Sequence, residues 1–121
     1  MGKRILITDD TMFMRMSLKE ILQGSGYTIV GEAEDGKIAV EKYKKLKPDL
    51  VLMDITMPNM NGIEAIKEIM KLDDDAKIIM VSAMGQKPLI MEALCSGATD
   101  FVIKPFKPNR ILNAVRKVLE D

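Results

Sequence analysis

The sequence predicts an α/β domain in which five parallel strands alternate with five helices, giving a doubly wound (βα)5 sheet. Five short apolar runs alternate with stretches whose apolar residues recur at helical spacing. Four of these runs are almost unbroken, which is typical of parallel strands covered on both faces. Because crossovers are right-handed, helices are expected on both faces of one open sheet. The length of 121 residues fits a single domain over 1–121.

The predicted strands are spaced so that one helix fits between each strand and the next. The second run is less uniformly apolar than the others, so we expect it to form an edge strand. The strands are, in chain order, Arg4–Thr8, Thr28–Ala33, Leu50–Met53, Lys77–Val81 and Asp100–Ile103.

Each predicted helix carries an apolar stripe along one face. Gly24 and Gly97 follow the first and fourth stripes, where glycine is typical of a helix end. The stripes contain Met14, Leu18, Ile21 and Leu22 in the first helix; Val40, Tyr43 and Leu46 in the second; Ile63, Ile66 and Met70 in the third; Ile90, Ala93 and Leu94 in the fourth; and Ile111, Val115, Val118 and Leu119 in the fifth.

The composition excludes several classes of function. Eighteen basic and eighteen acidic residues give a net charge of zero, which is not the charge of a nucleic-acid or anionic-membrane binder. The absence of histidine excludes Ser–His and Cys–His catalysis and histidine-ligated metals. Cys95 has no partner for a disulfide, which indicates a reducing compartment. The apolar runs are far shorter than the roughly 20 residues that span a bilayer. We therefore expect a cytoplasmic, monomeric domain.

Polar residues follow four of the predicted strands, at one edge of the sheet. Asp9 and Asp10 follow the first strand, Asp54 the third, Ser82 the fourth and Lys104 the fifth. In open parallel sheets, ligands bind outside the carboxyl ends of the strands. Two carboxylates 4 Å apart repel by about 4 kcal/mol at an effective dielectric constant of about 20, and a divalent cation relieves this repulsion. Mg²⁺ fits best, because it binds a few carboxylate oxygens and is completed by a phosphate.

Each of these residues also has an ordinary structural interpretation. Asp9 or Asp10 would cap the following helix, with Thr11 as a competitor for that place. Lys104 would be a solvated surface charge, although the following proline permits a cis peptide bond. Ser82 would cap the next segment. Phe101 would be a core residue.

Four motifs carry a resemblance to a known family. The sequence resembles the receiver domain of two-component response regulators over its whole length, and the motifs occur in the family's order. Two stretches further resemble the CheY-like chemotaxis branch of that family, namely Asp9–Lys19 and Ser82–Gln86. The motifs are Asp9-Asp10, Met53–Gly62 (MDITMPNMNG), Ser82-Ala83 and Lys104-Pro105-Phe106.

The resemblance implies a flavodoxin-like strand order of 2-1-3-4-5 and a phosphoacceptor, Asp54. It further implies that Asp10, Asp54 and the backbone carbonyl of Thr56 ligate Mg²⁺, and that Asp9 acts through water. Lys104 would pair with a phosphoryl oxygen. The loop that holds the acceptor accessible would be shaped by Pro58 and Gly62.

The resemblance also implies a conformational switch. Ser82 would bond the phosphoryl group, and Phe101 would rotate inward behind it. Phe101 stands where such proteins often have tyrosine, so the hydroxyl that a partner would contact is absent.

Three other positions bear on this comparison with the family. Thr8 replaces a common valine, and its hydroxyl would loosen the strand end or form a hydrogen bond there. In the family that the sequence resembles, the positions of Thr56 and Met84 influence the rate at which the phosphoryl group is hydrolysed.

The function implied is a phosphorylation-driven signalling switch with no output domain. A sensor histidine kinase would be the phosphodonor, and a flagellar motor switch protein or a phosphatase would bind through the surface of the fourth helix, fifth strand and fifth helix. Chemistry at Asp54 would be limited to self-phosphorylation and autodephosphorylation, without enzymatic turnover. The alternatives are a phosphorelay intermediate, a small Mg²⁺-dependent aspartyl-phosphate phosphatase and a flavin-binding module. The phosphatase would usually need an aspartate where this chain has Thr56.

Overall fold

The computed structural model describes residues 2–120 and contains the predicted arrangement of alternating strands and helices. The five strands form one parallel sheet in the order β2-β1-β3-β4-β5, as the resemblance implied. The elements are β1 (Arg4–Thr8), α1 (Met12–Gln23), β2 (Thr28–Ala33), α2 (Gly36–Leu46), β3 (Leu50–Met53), α3 (Gly62–Leu72), β4 (Ile78–Ser82), α4 (Lys87–Ser96), β5 (Asp100–Ile103) and α5 (Pro108–Leu119).

The sheet is covered on both faces, which explains why its strands are continuously apolar. Successive residues of a strand point to opposite faces. Leu6 and Met53 therefore pack with α2, α3 and α4, whereas Ile7 and Leu52 pack with α1 and α5. The less apolar strand β2 lies at one edge, so the prediction of an edge strand is confirmed.

Strand boundaries agree with the prediction except in β4. The apolar run predicted Lys77–Val81, but the strand is Ile78–Ser82. Ser82 pairs with Ile103 in the register of β4 and β5, and its carbonyl accepts a hydrogen bond from the Lys104 amide at 2.9 Å. A search for apolar residues misses this last strand position because its side chain is polar.

Side chains and glycines set the helix ends. Thr11 caps α1 by accepting a hydrogen bond from the Met14 amide at 3.3 Å, so neither aspartate before it is the cap. Gly24 and Gly97 end α1 and α4, as predicted. Within residues 2–120, the helices are too short and too polar for any of them to cross a membrane.

Candidate functional site

The buried polar side chains of the described residues gather at the carboxyl edge of the sheet. They follow or end four of its strands, and the other buried residues described are hydrophobic, glycine or proline. Burying a polar group costs free energy unless it is paired, so this concentration marks a site where the fold accepts that cost. The five side chains are those of Thr8, Asp9, Asp35, Asp54 and Ser82.

Three carboxylates meet at this edge, as predicted. Asp9, Asp10 and Asp54 each offer one oxygen, and these oxygens all lie within 4.8 Å of one another. Asp54 joins the other two because β3 lies beside β1, and its amide donates to the Thr8 carbonyl at 3.0 Å. Asp9 and Asp54 are buried, while Asp10 is exposed. The cluster is therefore open to solvent on one side only.

Lys104 lies against this cluster. Its Nζ atom is 2.6 Å from Asp9 Oδ2 and 3.5 Å from Asp54 Oδ2, and its side chain is largely buried. The Lys104-Pro105 peptide bond is cis. The alternative in which Lys104 is a solvated surface charge is therefore wrong.

Asp9 is fixed by the start of α1 as well as by Lys104. Its Oδ1 atom accepts hydrogen bonds from the Thr11 amide at 2.9 Å and from the Thr11 hydroxyl at 3.0 Å. The Arg15 guanidinium donates to the Asp9 carbonyl at 2.7 Å. Both carboxylate oxygens of Asp9 are therefore in use, whereas Asp10 is the exposed member of the cluster.

Asp54 has an electrostatic environment that favours neutralisation of its charge. Burial raises the pKa of Asp54 above its usual value, and the neighbouring Asp9 carboxylate raises it further. Lys104, the Ile55 amide and the Ser82 hydroxyl act in the opposite direction. The net direction is upward, so a cation would relieve a carboxylate that is poorly compensated in the protein alone.

The donor set fits a hard divalent cation. Carboxylate oxygens are the ligands that Mg²⁺ prefers, and the cluster brings three of them together beside an open side where water completes the coordination. Thr56 lies in the loop two residues after Asp54 and is exposed. The residues present therefore fit a bound Mg²⁺ ion.

Ser82 and Phe101 lie on the neighbouring strands β4 and β5. Ser82 is buried, and its hydroxyl accepts a hydrogen bond from the Met84 amide at 3.1 Å. Phe101 is 8% exposed and belongs to the core shared with α3 and α4, so its interpretation as a core residue is confirmed. The ring lies inward in this structure, and its rotation stays a prediction.

Thr8 behaves differently from both expectations. Its hydroxyl is buried and has no hydrogen-bond partner. Its backbone is paired with Ala33 on one side and Met53 on the other. The residue therefore neither loosens the strand end nor forms the expected bond.

Sequence reasoning missed Asp35, which is buried at the same edge after β2. The sequence contains a signal for Asp35, because aspartate is a preferred N-cap residue. Asp35 lies three residues before Ile38, which is the spacing at which an N-cap side chain accepts a hydrogen bond from the helix backbone. Its contact with Asn59, at 2.8 Å, joins two loops and has no signature in the sequence.

Comparison with known families gives one match over most of the chain. Residues 5–116 match the response regulator receiver domain family. The resemblance carried by the four sequence motifs is thereby confirmed.

Two curated relatives of similar length are chemotaxis proteins. The chain is 62% identical to the chemotaxis protein CheY of Thermotoga maritima over 118 residues, with 98% of each chain covered. It is 56% identical to CheY of Bacillus subtilis over 119 residues, covering 98% of this chain and 99% of that one.

Two solved structures share its fold closely. One is the CheX–CheY–BeF₃–Mg²⁺ complex from Borrelia burgdorferi, matched with a TM-score of 0.94 and 39% identity over 96% of this chain and 88% of that one. The other is the response regulator domain of Thermotoga maritima CheB, with a TM-score of 0.93 and 41% identity over 100% of this chain and 98% of that one.

Proposed function

The chain belongs to the response regulator receiver family as a chemotaxis regulator that signals rather than catalyses, and from that premise we propose that Asp54 is its phosphoacceptor. The observation that carries the proposal is the cluster of three carboxylates with Lys104 beside it. Asp9 and Asp54 are both buried, but Asp54 lies farther from Lys104 than Asp9 does, and burial raises its pKa. Asp9 is already committed to short bonds with Lys104 and Thr11.

The proposed reaction is transfer of a phosphoryl group from the phosphohistidine of a sensor kinase. A carboxylate oxygen of Asp54 forms the new bond to phosphorus while the phosphorus–nitrogen bond breaks, and the departing imidazole keeps the electron pair and takes a proton. Phosphoryl transfer requires chiefly alignment and neutralisation of charge. Lys104 supplies an ammonium group 3.5 Å from Asp54 Oδ2, where it would neutralise charge on the transferred phosphoryl group.

Mg²⁺ is the proposed cofactor of this site. Asp10, Asp54 and the Thr56 carbonyl would hold it, and Asp9 would act through water. When bound, Mg²⁺ neutralises the carboxylates and the phosphoryl oxygens. The Borrelia relative, which was solved with Mg²⁺ and BeF₃, supports this assignment.

Ser82 and Phe101 are the proposed switch. Ser82 is buried at the carboxyl end of β4, beside the strand β3 that leads into Asp54, so its hydroxyl would bond an added phosphoryl oxygen. Movement of Ser82 toward that oxygen would favour the inward position of Phe101. A local charge would thereby bias an element with two positions.

The proposed output surface consists of α4, β5 and α5. Two side chains of α4 and one of β5 are apolar and exposed there, which favours docking of a protein partner. We propose a flagellar motor switch protein as the target, with a phosphatase as a further partner by analogy with the Borrelia CheX–CheY complex. The side chains are Met91, Leu94 and Ile103.

A second exposed apolar group lies on α1, next to the carboxylates. It is suited to contact with a large phosphodonor, whose histidine has to reach Asp54. Its side chains are Met12, Phe13 and Met16.

The test is phosphoryl uptake by the wild-type protein and by Asp54→Asn, with Asp74→Asn as a control that removes an exposed carboxylate. Intact-mass spectrometry after incubation with Mg²⁺ and acetyl phosphate should find one phosphoryl group on wild type and Asp74→Asn, and none on Asp54→Asn. Uptake by Asp54→Asn at wild-type stoichiometry would contradict the assignment. A pull-down with and without beryllofluoride then identifies the output, and capture of a histidine phosphotransfer domain in place of a motor switch protein would favour a phosphorelay.

A further inference from the structure

The loop that follows Asp54 is held by contacts from outside the reaction site. We call residues 55–61 the acceptor loop, and we call the pair Asp35 and Gly36, which follow β2 and begin α2, the α2-entry turn. The side-chain amide of Asn59 donates to Asp35 Oδ2 at 2.8 Å. The Gly36 amide donates to the Met60 carbonyl at 3.0 Å. Two adjacent residues of the acceptor loop are therefore bound to two adjacent residues of the turn.

Asp35 is a rigid anchor for this contact. Its carboxylate is buried, and its other oxygen accepts a hydrogen bond from the Ile38 amide at 2.8 Å, which caps α2. These hydrogen bonds lower the pKa of Asp35 despite the effect of burial. The carboxylate is therefore ionised at neutral pH and fixed to a helix at one end and to the acceptor loop at the other.

Close approach of backbones confines the loop at the contact between Gly36 and Met60 and at one further point. A Cβ atom at Gly36 would lie 2.5 Å from the Met60 carbonyl oxygen. A Cβ atom at Gly62, just after the loop, would lie 2.0 Å from the Asp54 carbonyl oxygen. The acceptor loop is thus confined between the backbone of the phosphoacceptor and the α2-entry turn.

Asn59 itself has an unfavourable backbone conformation. Its φ is +67°, in the left-handed region that asparagine tolerates better than most residues. Asparagine serves both needs at this position, because it accepts the left-handed conformation and supplies the amide that reaches Asp35.

We infer that Asp35 and Asn59 are positioning residues that hold the acceptor loop ready to present the Thr56 carbonyl as a ligand of Mg²⁺. This inference rests on the proposed function, since it concerns the same metal site. Neither residue is expected to touch the metal or the phosphoryl group. Partners that orient metal ligands typically contribute roughly 10–100-fold to metal affinity.

The test is Asn59→Gly, which removes the amide and keeps the left-handed backbone free of strain. The matched control is Tyr43→Phe, which removes the hydrogen bond from the Tyr43 hydroxyl to Asp73, 2.8 Å long, between α2 and the end of α3. The double variant Asp35→Asn/Asn59→Asp exchanges donor and acceptor at unchanged net charge and should restore the contact. All four proteins are titrated with Mg²⁺ by calorimetry, and hydrogen exchange is measured for residues 55–61.

Asn59→Gly should bind Mg²⁺ about tenfold more weakly than wild type and exchange faster in the acceptor loop. Tyr43→Phe should match wild type in both readouts, and the double variant should recover most of the affinity. Equal Mg²⁺ affinity of Asn59→Gly and wild type would overturn the inference while leaving the metal site in place. If the wild-type protein binds no Mg²⁺, the proposed metal site is wrong, and the inference falls with it.

Discussion

Two groups of three aspartates in the described part of the chain bring their carboxylates similarly close together but have different surroundings. Asp9, Asp10 and Asp54 form one group, and Asp73, Asp74 and Asp75 form the other. In each, one oxygen per residue lies within 4.8 Å of the others. Proximity of carboxylates alone therefore does not distinguish a candidate site from an ordinary surface.

Burial and chain distance make the difference. Asp73, Asp74 and Asp75 are consecutive residues after α3, and none of them is buried. Asp73 is occupied by bonds from the Tyr43 hydroxyl and the Asp75 amide. In the group at the sheet edge, two carboxylates are buried and face an ammonium group that comes from a third strand. Burying carboxylates at the sheet edge costs free energy. The carboxylates of the surface group stay solvated and carry no such cost.

We expect the largest difference between the two groups of aspartates in their contribution to Mg²⁺ affinity. Asp10→Asn should weaken Mg²⁺ binding by about 100-fold or more, because loss of a ligand exceeds the roughly 10–100-fold cost of losing an outer partner. The equivalent change in the surface group, Asp74→Asn, should leave the affinity unchanged. Calorimetric titration measures both. Equal losses of Mg²⁺ affinity in Asp10→Asn and Asp74→Asn would contradict the proposed difference between the two groups.

A smaller effect is expected on the response to phosphorylation. At the sheet edge, the hydroxyl of Ser82 ends the neighbouring strand β4, whereas the hydroxyl beside the surface group is that of Tyr43, which bonds Asp73. Ser82→Ala should take up phosphate as wild type does but bind the output partner about tenfold less tightly when activated, since a bond to a charged group contributes about 1.5–3 kcal/mol. Ser82→Thr, which keeps a hydroxyl, should retain the response. Binding is measured by titration with beryllofluoride present, and an undiminished response of Ser82→Ala would exclude the proposed role.

The smallest effect is on stability. Because burial raises the pKa of Asp54, the folded protein binds this proton more tightly than the unfolded chain does. The contribution of Asp54 to the free energy of unfolding is therefore present in acid and is lost as pH rises through the folded pKa. Asp54→Asn should accordingly have a higher Tm than wild type at pH 7 without metal, and the gap should close toward pH 4.

Thermal unfolding across pH measures this difference. A change of about 1 kcal/mol moves the Tm of a domain of this size by roughly 3–6 °C. Asp75→Asn, in the surface group, should follow wild type at every pH. A lower Tm for Asp54→Asn at pH 7 would show that the carboxylate stabilises the apo fold.

The sequence predicted the parts of the site that follow directly from strand position. Asp54 and Lys104 end buried apolar runs, and the parallel arrangement brings such ends to one edge. The contact between Asp35 and Asn59 was not predictable in this way, since loop conformations are not periodic and the left-handed backbone of Asn59 has no sequence signature of its own. Nor could the sequence fix where the Phe101 ring lies, because both a core position and a switch position fit the same residue.

The most direct test of the central claim is a crystal structure of the protein with Mg²⁺ and beryllofluoride. We predict beryllofluoride on a carboxylate oxygen of Asp54, contacted by Lys104, with Mg²⁺ bound by Asp10, Asp54 and the Thr56 carbonyl. Mg²⁺ at Asp73, Asp74 and Asp75, with no beryllofluoride on Asp54, would contradict it.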